Sequence, residues 1–589
     1  MKSLTARLTE IMADAFAACG YDPGFGVVSR SDRPDLGQFQ CNGALSAARA
    51  HRTVPTGIAN SVVRRLAADE TFSQVSIAGP GFINLTLSDE FLARHIEAMD
   101  RSGQLGVPEV EQPLRVIVDY GGANVAKPMH VGHLRAAIIG ESLKRIGRFL
   151  GHDVLGDVHL GDWGLQMGML ISELRRRAPE LPYFDASFTG PYPAESPVTL
   201  DDLEELYPTA AARARDDPAA MEEARAATFE LQQGRPGYYA LWRHFHDVSV
   251  AELKADYATL DVHFDLWLGE SDTQEWIPGM IERLRDGGLA RESQGALVVD
   301  VAAAEEESQT PPLMLLKSDG AVLYGTTDLA TIDQRVQELG AQLVIYVVDS
   351  RQADHFRQVF GAARRSGIAP ESVMLEHAGF GTMNGKDGKP FKTREGGVMK
   401  LKDLMRLVTD KAMERMAEAD VAEGYDDAER AEVARMVGMA TLKYADLMNQ
   451  RTKDYVFDLE RFSSFEGRTG PYLLYTAVRA KSILRKAAAR GLEPGSLLPP
   501  ASDAERGVML ALAELPDAVN RAWDARMPSQ LCEFGYVLAT AFNRFYHEHH
   551  ILTEPNLELR GSWLALTRFC VSVLERTLDL LGVAVPERM

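Results

Sequence analysis

Apolar residues recur at helical spacing at the start of the chain: Leu4, Leu8, Met12 and Phe16, with Arg7, Glu10 and Asp14 between them. That pattern predicts an amphipathic helix belonging to the fold rather than a cleaved leader. A second helical pattern covers Ile58–Ala68, and the strand-like run Val75-Ser76-Ile77-Ala78 leads into a Gly79-Pro80-Gly81 turn. Residues 1–110 therefore read as a small α+β domain, closed by the Pro- and Glu-containing linker Val107–Pro113. From Leu114 the rhythm changes. Strand-like Arg115–Tyr120 leads through a Gly-rich loop to a helix over Gly132–Leu150, with Leu134, Ile138, Leu143 and Ile146 on its apolar face. Gly151 stops the helix and His152–His159 reads as a strand, so a βαβ unit with a parallel sheet is expected over residues 114–175.

Between Arg175 and Trp242 the chain is rich in Pro, Glu, Ala and Arg and helical in pattern, which predicts an insertion over residues 176–255. Strand-like runs resume at Ala296–Val301, Leu313–Leu316 and Leu343–Val348, assigning residues 256–378 to the second half of the α/β domain. Residues 379–425 form a connecting region, and residues 426–589 a helical bundle interrupted by the Gly/Pro-rich break Gly491–Pro500.

Composition narrows the class. A chain of 589 residues exceeds one compact core, and 46% hydrophobic with 25% charged content is that of a soluble globular protein. A formal charge of −21 argues against non-specific coating of nucleic acid, though not against a local basic face. Cys19, Cys41, Cys532 and Cys570 are isolated, which disfavours a disulfide framework or thiolate zinc site and fits a cytoplasmic protein. No apolar run approaches the roughly 20 residues that span a bilayer.

The densest chemistry lies in Val118-Asp119-Tyr120-Gly121-Gly122-Ala123-Asn124-Val125-Ala126-Lys127-Pro128-Met129-His130-Val131-Gly132-His133. Two histidines flanking a glycine at a helix N-terminus, just after a strand, suit a phosphate site: orphan N–H groups and the helix dipole favour anions there. Gly132 lets a flat ring approach the backbone, and both imidazoles can donate to phosphate oxygens. The alternative is an ordinary βα turn with incidental histidines. A second element, Phe380-Gly381-Thr382-Met383-Asn384-Gly385-Lys386-Asp387-Gly388-Lys389-Pro390-Phe391-Lys392-Thr393-Arg394, has the glycines and cations of a loop that closes over a triphosphate; a solvated basic loop is its bland reading. Tyr324 and Asp328, four apart, share a face if a helix starts there. A planar guanidinium is best received by such a carboxylate.

These residues resemble the class I aminoacyl-tRNA synthetases, in the form typical of the arginyl-tRNA synthetase family. The His130-Val131-Gly132-His133 turn matches their signature. His159-Leu160-Gly161-Asp162-Trp163-Gly164 resembles the family's next block, Ala78–Asn84 the end of its N-terminal domain, and Pro586-Glu587-Arg588-Met589 its C-terminus. The resemblance implies an α/β Rossmann-type class I synthetase catalytic domain with an α+β N-terminal domain and an all-α C-terminal anticodon-binding bundle. It implies ATP with Mg²⁺, arginine and tRNA-Arg as substrates and partners, a chain acting as a monomer, and no resident metal.

Residue by residue, it assigns Lys127, His130, His133 and Lys392 to catalysis and His130, Gly132, His133, Lys386, Lys389 and Lys392 to ATP. Asp119, Gly122, Asn124, His133, Tyr324, Asp328 and Gln352 go to arginine. Phe39, Gln40, Asn42, Tyr472, Tyr475, Arg479 and Lys481 go to tRNA. Three departures stand out. The Lys-Met-Ser-Lys-Ser loop common in class I is absent, as in many arginyl enzymes. Gly121-Gly122-Ala123 replaces the usual small residue and proline before Asn124, which predicts a looser loop and weaker orientation of the α-amino group. Thr476-Ala477-Val478-Arg479 stands in place of the Asp-Ala-Leu-Arg signature of the anticodon domain. A specialised paralogue and a non-catalytic tRNA-binding protein remain open alternatives. His547-Glu548-His549-His550 reads as satisfied or solvated rather than as a metal site, since adjacent histidines diverge on a helix.

Overall fold

The computed structural model of the chain describes residues 1–301, 311–318, 320–389, 391, 399–419 and 424–589. It divides into two compact units, one of Met1–Val110, Ala412–Tyr444 and Arg461–Met589, the other of Glu111–Lys411 and Ala445–Glu460. Among the described residues no helix is long and apolar enough to cross a membrane.

In the first unit the opening helix, Leu4–Ala18, buries Leu4, Leu8, Met12 and Phe16, and the Ser3 hydroxyl caps it by accepting from the Ala6 N–H. A four-stranded antiparallel sheet follows, in the spatial order Val28–Arg30, Phe39–Cys41, Phe82–Leu87, Phe72–Ala78. The first two strands have three residues each, too few for alternation to show in the sequence. Helices Gly470–Ala488, Asp503–Leu512, Leu515–Asp524, Ser529–Glu548 and Leu557–Leu580 build the bundle. Arg506 meets Asp89 at 2.9 Å and the Thr5 hydroxyl donates to Asp517 at 2.6 Å, so the sheet region and the bundle share this unit.

The second unit centres on a parallel sheet in the order Met374–His377, Leu343–Val347, Arg115–Tyr120, Asp153–Asp157. Helix Val131–Phe149 is the crossover between its last two strands, as the βαβ pattern predicts. Ile117, Val344, Leu329, Ile332, Phe356 and Val359 pack the core between this sheet and the helices Tyr324–Gln337 and Ala353–Arg365. The insertion consists of helices Leu200–Asp216, Pro218–Gln232 and Pro236–Thr259, packed through Leu203, Leu241, Trp242 and Phe245 onto Met167, Leu170 and Leu174.

One expectation changes. Ala296–Val299 and Leu313–Leu316 do not join the parallel sheet; with Ala290–Ser293 they form a separate three-stranded antiparallel sheet. Four-residue apolar runs look alike in either setting, and only the pairing distinguishes them.

Candidate active site

The site begins where strand Arg115–Tyr120 ends. Gly121 turns the chain with φ of +77°, and a Cβ there would lie 2.9 Å from both the Phe264 ring and the Tyr257 hydroxyl. Only glycine fits this position. The Tyr257 hydroxyl donates to the Gly121 carbonyl, Gly161 N–H to Ala123 O at 3.1 Å, Val125 N–H to Gly161 O at 3.0 Å, and Ala126 N–H to the Ser249 hydroxyl at 2.9 Å. The predicted looseness of Gly121-Gly122-Ala123 is thus corrected: the glycine loop is crowded and tied at four points.

The loop delivers His130 to the N-cap of helix Val131–Phe149. His130 Nδ1 accepts from the Gly132 N–H at 3.0 Å, and His133 Nδ1 accepts from the His130 N–H at 3.2 Å, a capping box made of two imidazoles. Because each Nδ1 accepts, each neutral ring carries its proton on Nε2. Burial lowers both basicities, further lowered at His130 by Lys127; His133 falls to about 3. Both rings are therefore neutral at pH 7. Gly132 is crowded by a neighbour that the sequence did not suggest: a Cβ there would come within 2.7 Å of the His130 ring.

The helix start is held from outside as well. Val131 N–H donates to Met399 O at 3.1 Å and Leu401 N–H to Met129 O at 2.9 Å. One turn on, buried Arg135 pairs with Asp446 at 3.0 Å and donates to Gly381 O at 2.6 Å and Lys453 O at 3.1 Å.

A cavity of about 550 Å³ opens here, lined by Asp119, Gly122, Asn124, His130, Gly132, His133, Asp328 and Gln352 among the anticipated residues, and also by His159, Tyr346, Phe380 and Thr382. It lies at the carboxyl end of the parallel strands, where open α/β sheets bind ligands. Not every anticipated residue reaches it. Tyr324 does begin a helix with Asp328 one turn along, yet its side chain is exposed and outside the lining. Lys127 sits over the Tyr207 ring, 4.3 Å from its centroid, in a smaller adjoining cavity. Lys386 pairs with Asp458 at 3.2 Å, and neither it nor Lys389 lines the main cavity. Lys392 lies outside the described residues.

The acidic residues differ in availability. Asp119 Oδ2 accepts from buried Arg335 at 2.6 Å, so its charge is already matched. Asp328 Oδ2 lies 2.5 Å from His355 Nε2, whose basicity it raises, leaving the other carboxylate oxygen outside that contact. Glu270, outside the cavity lining, is a carboxylate that sequence reasoning missed and that interacts electrostatically with Asp328 and His159. Burial, then Asp162 and Asp328 against the opposing pull of His159, raises its pKa to about 7. It also acts electrostatically on Tyr324. Its only signal in the sequence was a Gly-Glu-Ser-Asp run, common in any loop. His159 could have been found, being in the second family block; His355, Arg335 and Arg135 had no such signal.

In the first unit a groove of about 550 Å³ is lined by Tyr475, Arg479, Arg485, Lys486, Arg490, Tyr546, three histidines and Met589. Arg479 lies 4.6 Å from the Tyr475 ring centroid and donates to Asn543 at 2.9 Å. Tyr472 is tied by its hydroxyl to Asn543 at 3.0 Å, and Lys481 is held by Glu575 at 2.9 Å and Glu587 at 2.8 Å, both away from the groove lining. Phe39 is a core residue, 5% exposed, while Gln40 and Asn42 retain accessible surface. His549 is occupied, its Nδ1 3.0 Å from Phe545 O and its Nε2 3.1 Å from the Ser502 hydroxyl.

Comparison with known proteins agrees with this geometry. Residues 95–459 match the catalytic domain of class I (R) tRNA synthetases, residues 473–589 the DALR anticodon binding domain, and residues 2–87 the arginyl tRNA synthetase N terminal domain. An arginine--tRNA ligase of Alkaliphilus oremlandii is 53% identical over 590 residues, and one of Hyphomonas neptunium 51% identical over 591, each match covering 100% of both chains. The solved arginyl-tRNA synthetases of Plasmodium falciparum and Thermus thermophilus share the fold with TM-scores of 0.81 and 0.79 at 23% and 24% identity, again over 100% of both chains. With its histidine-capped helix, its insertion and its helical C-terminal bundle all in the matched regions, the chain belongs to the arginyl-tRNA synthetase family.

Proposed function

We infer that the protein is an arginine–tRNA ligase, which joins arginine to ATP as arginyl-adenylate and transfers it to tRNA-Arg, releasing AMP and pyrophosphate. One juxtaposition supports this above all. Two imidazoles with Nε2–H donors at a helix N-terminus share a cavity with Asp328, so a nucleotide phosphate and a cationic side chain have receivers in the same space.

In the first step the arginine carboxylate attacks the α-phosphorus of ATP in line, and pyrophosphate leaves. Charge grows on the α-phosphoryl oxygens, and the fixed Nε2–H dipoles of His130 and His133 meet it without a proton changing hands. Magnesium enters with the substrate, as MgATP. Lys127, Lys386, Lys389 and Lys392 are proposed to answer the triphosphate charge, which requires Lys127 to turn from the Tyr207 ring and Lys386 from Asp458. At the other end, Asp328 is proposed to receive the guanidinium, joined by Glu270, which acts on Asp328 electrostatically, and by Tyr324 once its exposed side chain turns inward, with Asn124, Gln352 and His133 at the α-amino and carboxylate end. Glu270 takes the place first given to Asp119, because a carboxylate already paired to an internal guanidinium is a poor receptor for a second. In the second step the terminal ribose 2′-hydroxyl of tRNA attacks the adenylate carbonyl.

For tRNA, the basic groove with Tyr475 and Arg479 suits phosphates and unpaired anticodon bases, which stack on aromatic rings. Gln40 and Asn42 are proposed as further contacts. The working unit is proposed to be a monomer acting in the cytoplasm, in keeping with the four free cysteines.

Arginine-dependent pyrophosphate exchange, with and without tRNA-Arg, tests the reading, and Asp328→Ala sharpens it. The variant should lose charging by about 10³-fold or more while keeping tRNA affinity, because it removes the guanidinium's charged partner. Unimpaired charging by the variant would remove Asp328 from the site; no arginine-dependent exchange by the native protein would overturn the function itself.

A further inference from the structure

We propose that Arg335 is a specificity-positioning residue: a resident guanidinium that fills the Asp119 subsite and fixes the register of helix Tyr324–Gln337, so that the substrate's guanidinium is received at Asp328. The inference rests on the reading that Asp328 faces the arginine side chain.

Asp119 and Asp157 are direct register partners on adjacent parallel strands, at the carboxyl end of the sheet. Side-by-side carboxylates in a dry interior repel, and a cation between them favours their ionised forms: burial and Asp119 raise the Asp157 pKa, and Arg335 pulls it back down. Arg335 is that cation. Its Nη2 donates to Asp119 Oδ2 and to Asp157 Oδ2, each at 2.6 Å, and the side chain is 0% exposed. The guanidinium carbon also lies 5.2 Å from the ring centroid of Tyr346, which pairs with Asp119 from the third strand. One side chain thereby meets three neighbouring strands.

Among the described residues the remaining donors, on Nε and Nη1, meet no hydrogen-bond acceptor at bonding geometry, so the ion-pair anchor passes through Nη2. Asp328 precedes Arg335 by seven residues on the same helix, which is two turns and about 10 Å along one face. Slipping the helix by one residue would turn that face by about 100° and carry Asp328 away from the cavity. The twin ion pair permits only one register. It also closes a competing subsite, since Asp119 lines the same cavity and, bare, would offer a guanidinium a second carboxylate.

The test uses the full-length protein in pyrophosphate exchange with tRNA-Arg, measuring KM for arginine and for ATP beside thermal unfolding. Arg335→Met should raise the arginine KM by about 20-fold with the ATP KM within about twofold, and Arg335→Lys should recover part of that loss, as expected for a positioning effect. The double variant Arg335→Met/Asp157→Asn keeps the local charge at −1 (two carboxylates and one guanidinium against one carboxylate). It should regain thermal stability but not the arginine KM. It also decides the matter if Arg335→Met alone fails to fold. A normal arginine KM in the double variant, or equal rises in both KM values, would overturn the positioning role. Absence of arginine-dependent exchange in the native protein would instead overturn the function on which it rests.

Discussion

The cavity of the second unit and the groove of the first each enclose about 550 Å³, yet they are built on opposite principles. The cavity carries few groups, each tied from behind: His130 by the Gly132 N–H, His133 by the His130 N–H, Asp119 by Arg335, Asp328 by His355. The groove carries several cations, with Arg485 and Lys486 well exposed and tyrosine rings between them. Recognition in the first depends on aim and desolvation, so one group is worth much. Recognition in the second depends on a summed field, so each group is worth little and salt weakens all of them.

The sharpest break of that contrast is His133→Ala. It removes one Nε2–H donor and one half of the capping box, and adenylate formation should fall by about 10²–10³-fold with tRNA affinity unchanged. A loss below tenfold in pyrophosphate exchange would mean the imidazole is not aimed at developing charge. In the groove, Arg485→Ala/Lys486→Ala should weaken tRNA-Arg binding by about tenfold near physiological salt and reduce the salt slope of log K by about 1–2. Filter binding across a salt series reads both; a slope equal to that of the native protein would take these cations out of the contact.

A smaller effect separates the two regions by pH. Glu270, lifted to about 7 by burial, is protonated below that pH and anionic above it, with His159 opposing the shift and Asp162 and Asp328 reinforcing it. A cationic substrate binds the ionised form, so the arginine KM should fall several-fold from pH 6 to pH 8, by less than tenfold per unit. Glu270→Gln should flatten that profile. A profile as steep in the variant as in the native protein would assign the titration to another group, and the tRNA KM serves as the control.

The same contrast governs how much could be read from the sequence. Strand Arg115–Tyr120 and helix Val131–Phe149 were legible because apolar period and a glycine stop agree over many residues. The histidine turn and Asp328 were legible because motif and placement coincided. Of the groove cations, Arg479 was reached through the resemblance to the family's anticodon domain. What stayed hidden is what depends on partners distant in the chain. Arg335 sits in a helix pattern where an arginine normally marks the solvent side, and only the pairing of Asp119 with Asp157 reveals it as buried. Lys481 looked like the neighbouring cations until Glu575 and Glu587 were found beside it. Lys127 and Lys386 matched a chemical role in type, but Tyr207 and Asp458 hold them elsewhere. Glycines at 121–122 suggested slack because the sequence cannot display Tyr257 and Phe264 pressing on Gly121, or the His159 carbonyl on Gly122.

That crowding makes the turn after strand Arg115–Tyr120 and the last inserted helix, Pro236–Thr259, with the segment that follows it, a matched pair. A homologue with a bulkier residue at position 121 must keep a smaller or displaced partner where Tyr257 and Phe264 stand here. Exchange of the inserted helices between relatives would therefore succeed only when the short turn travels with them, the two being inherited as a single interchangeable part.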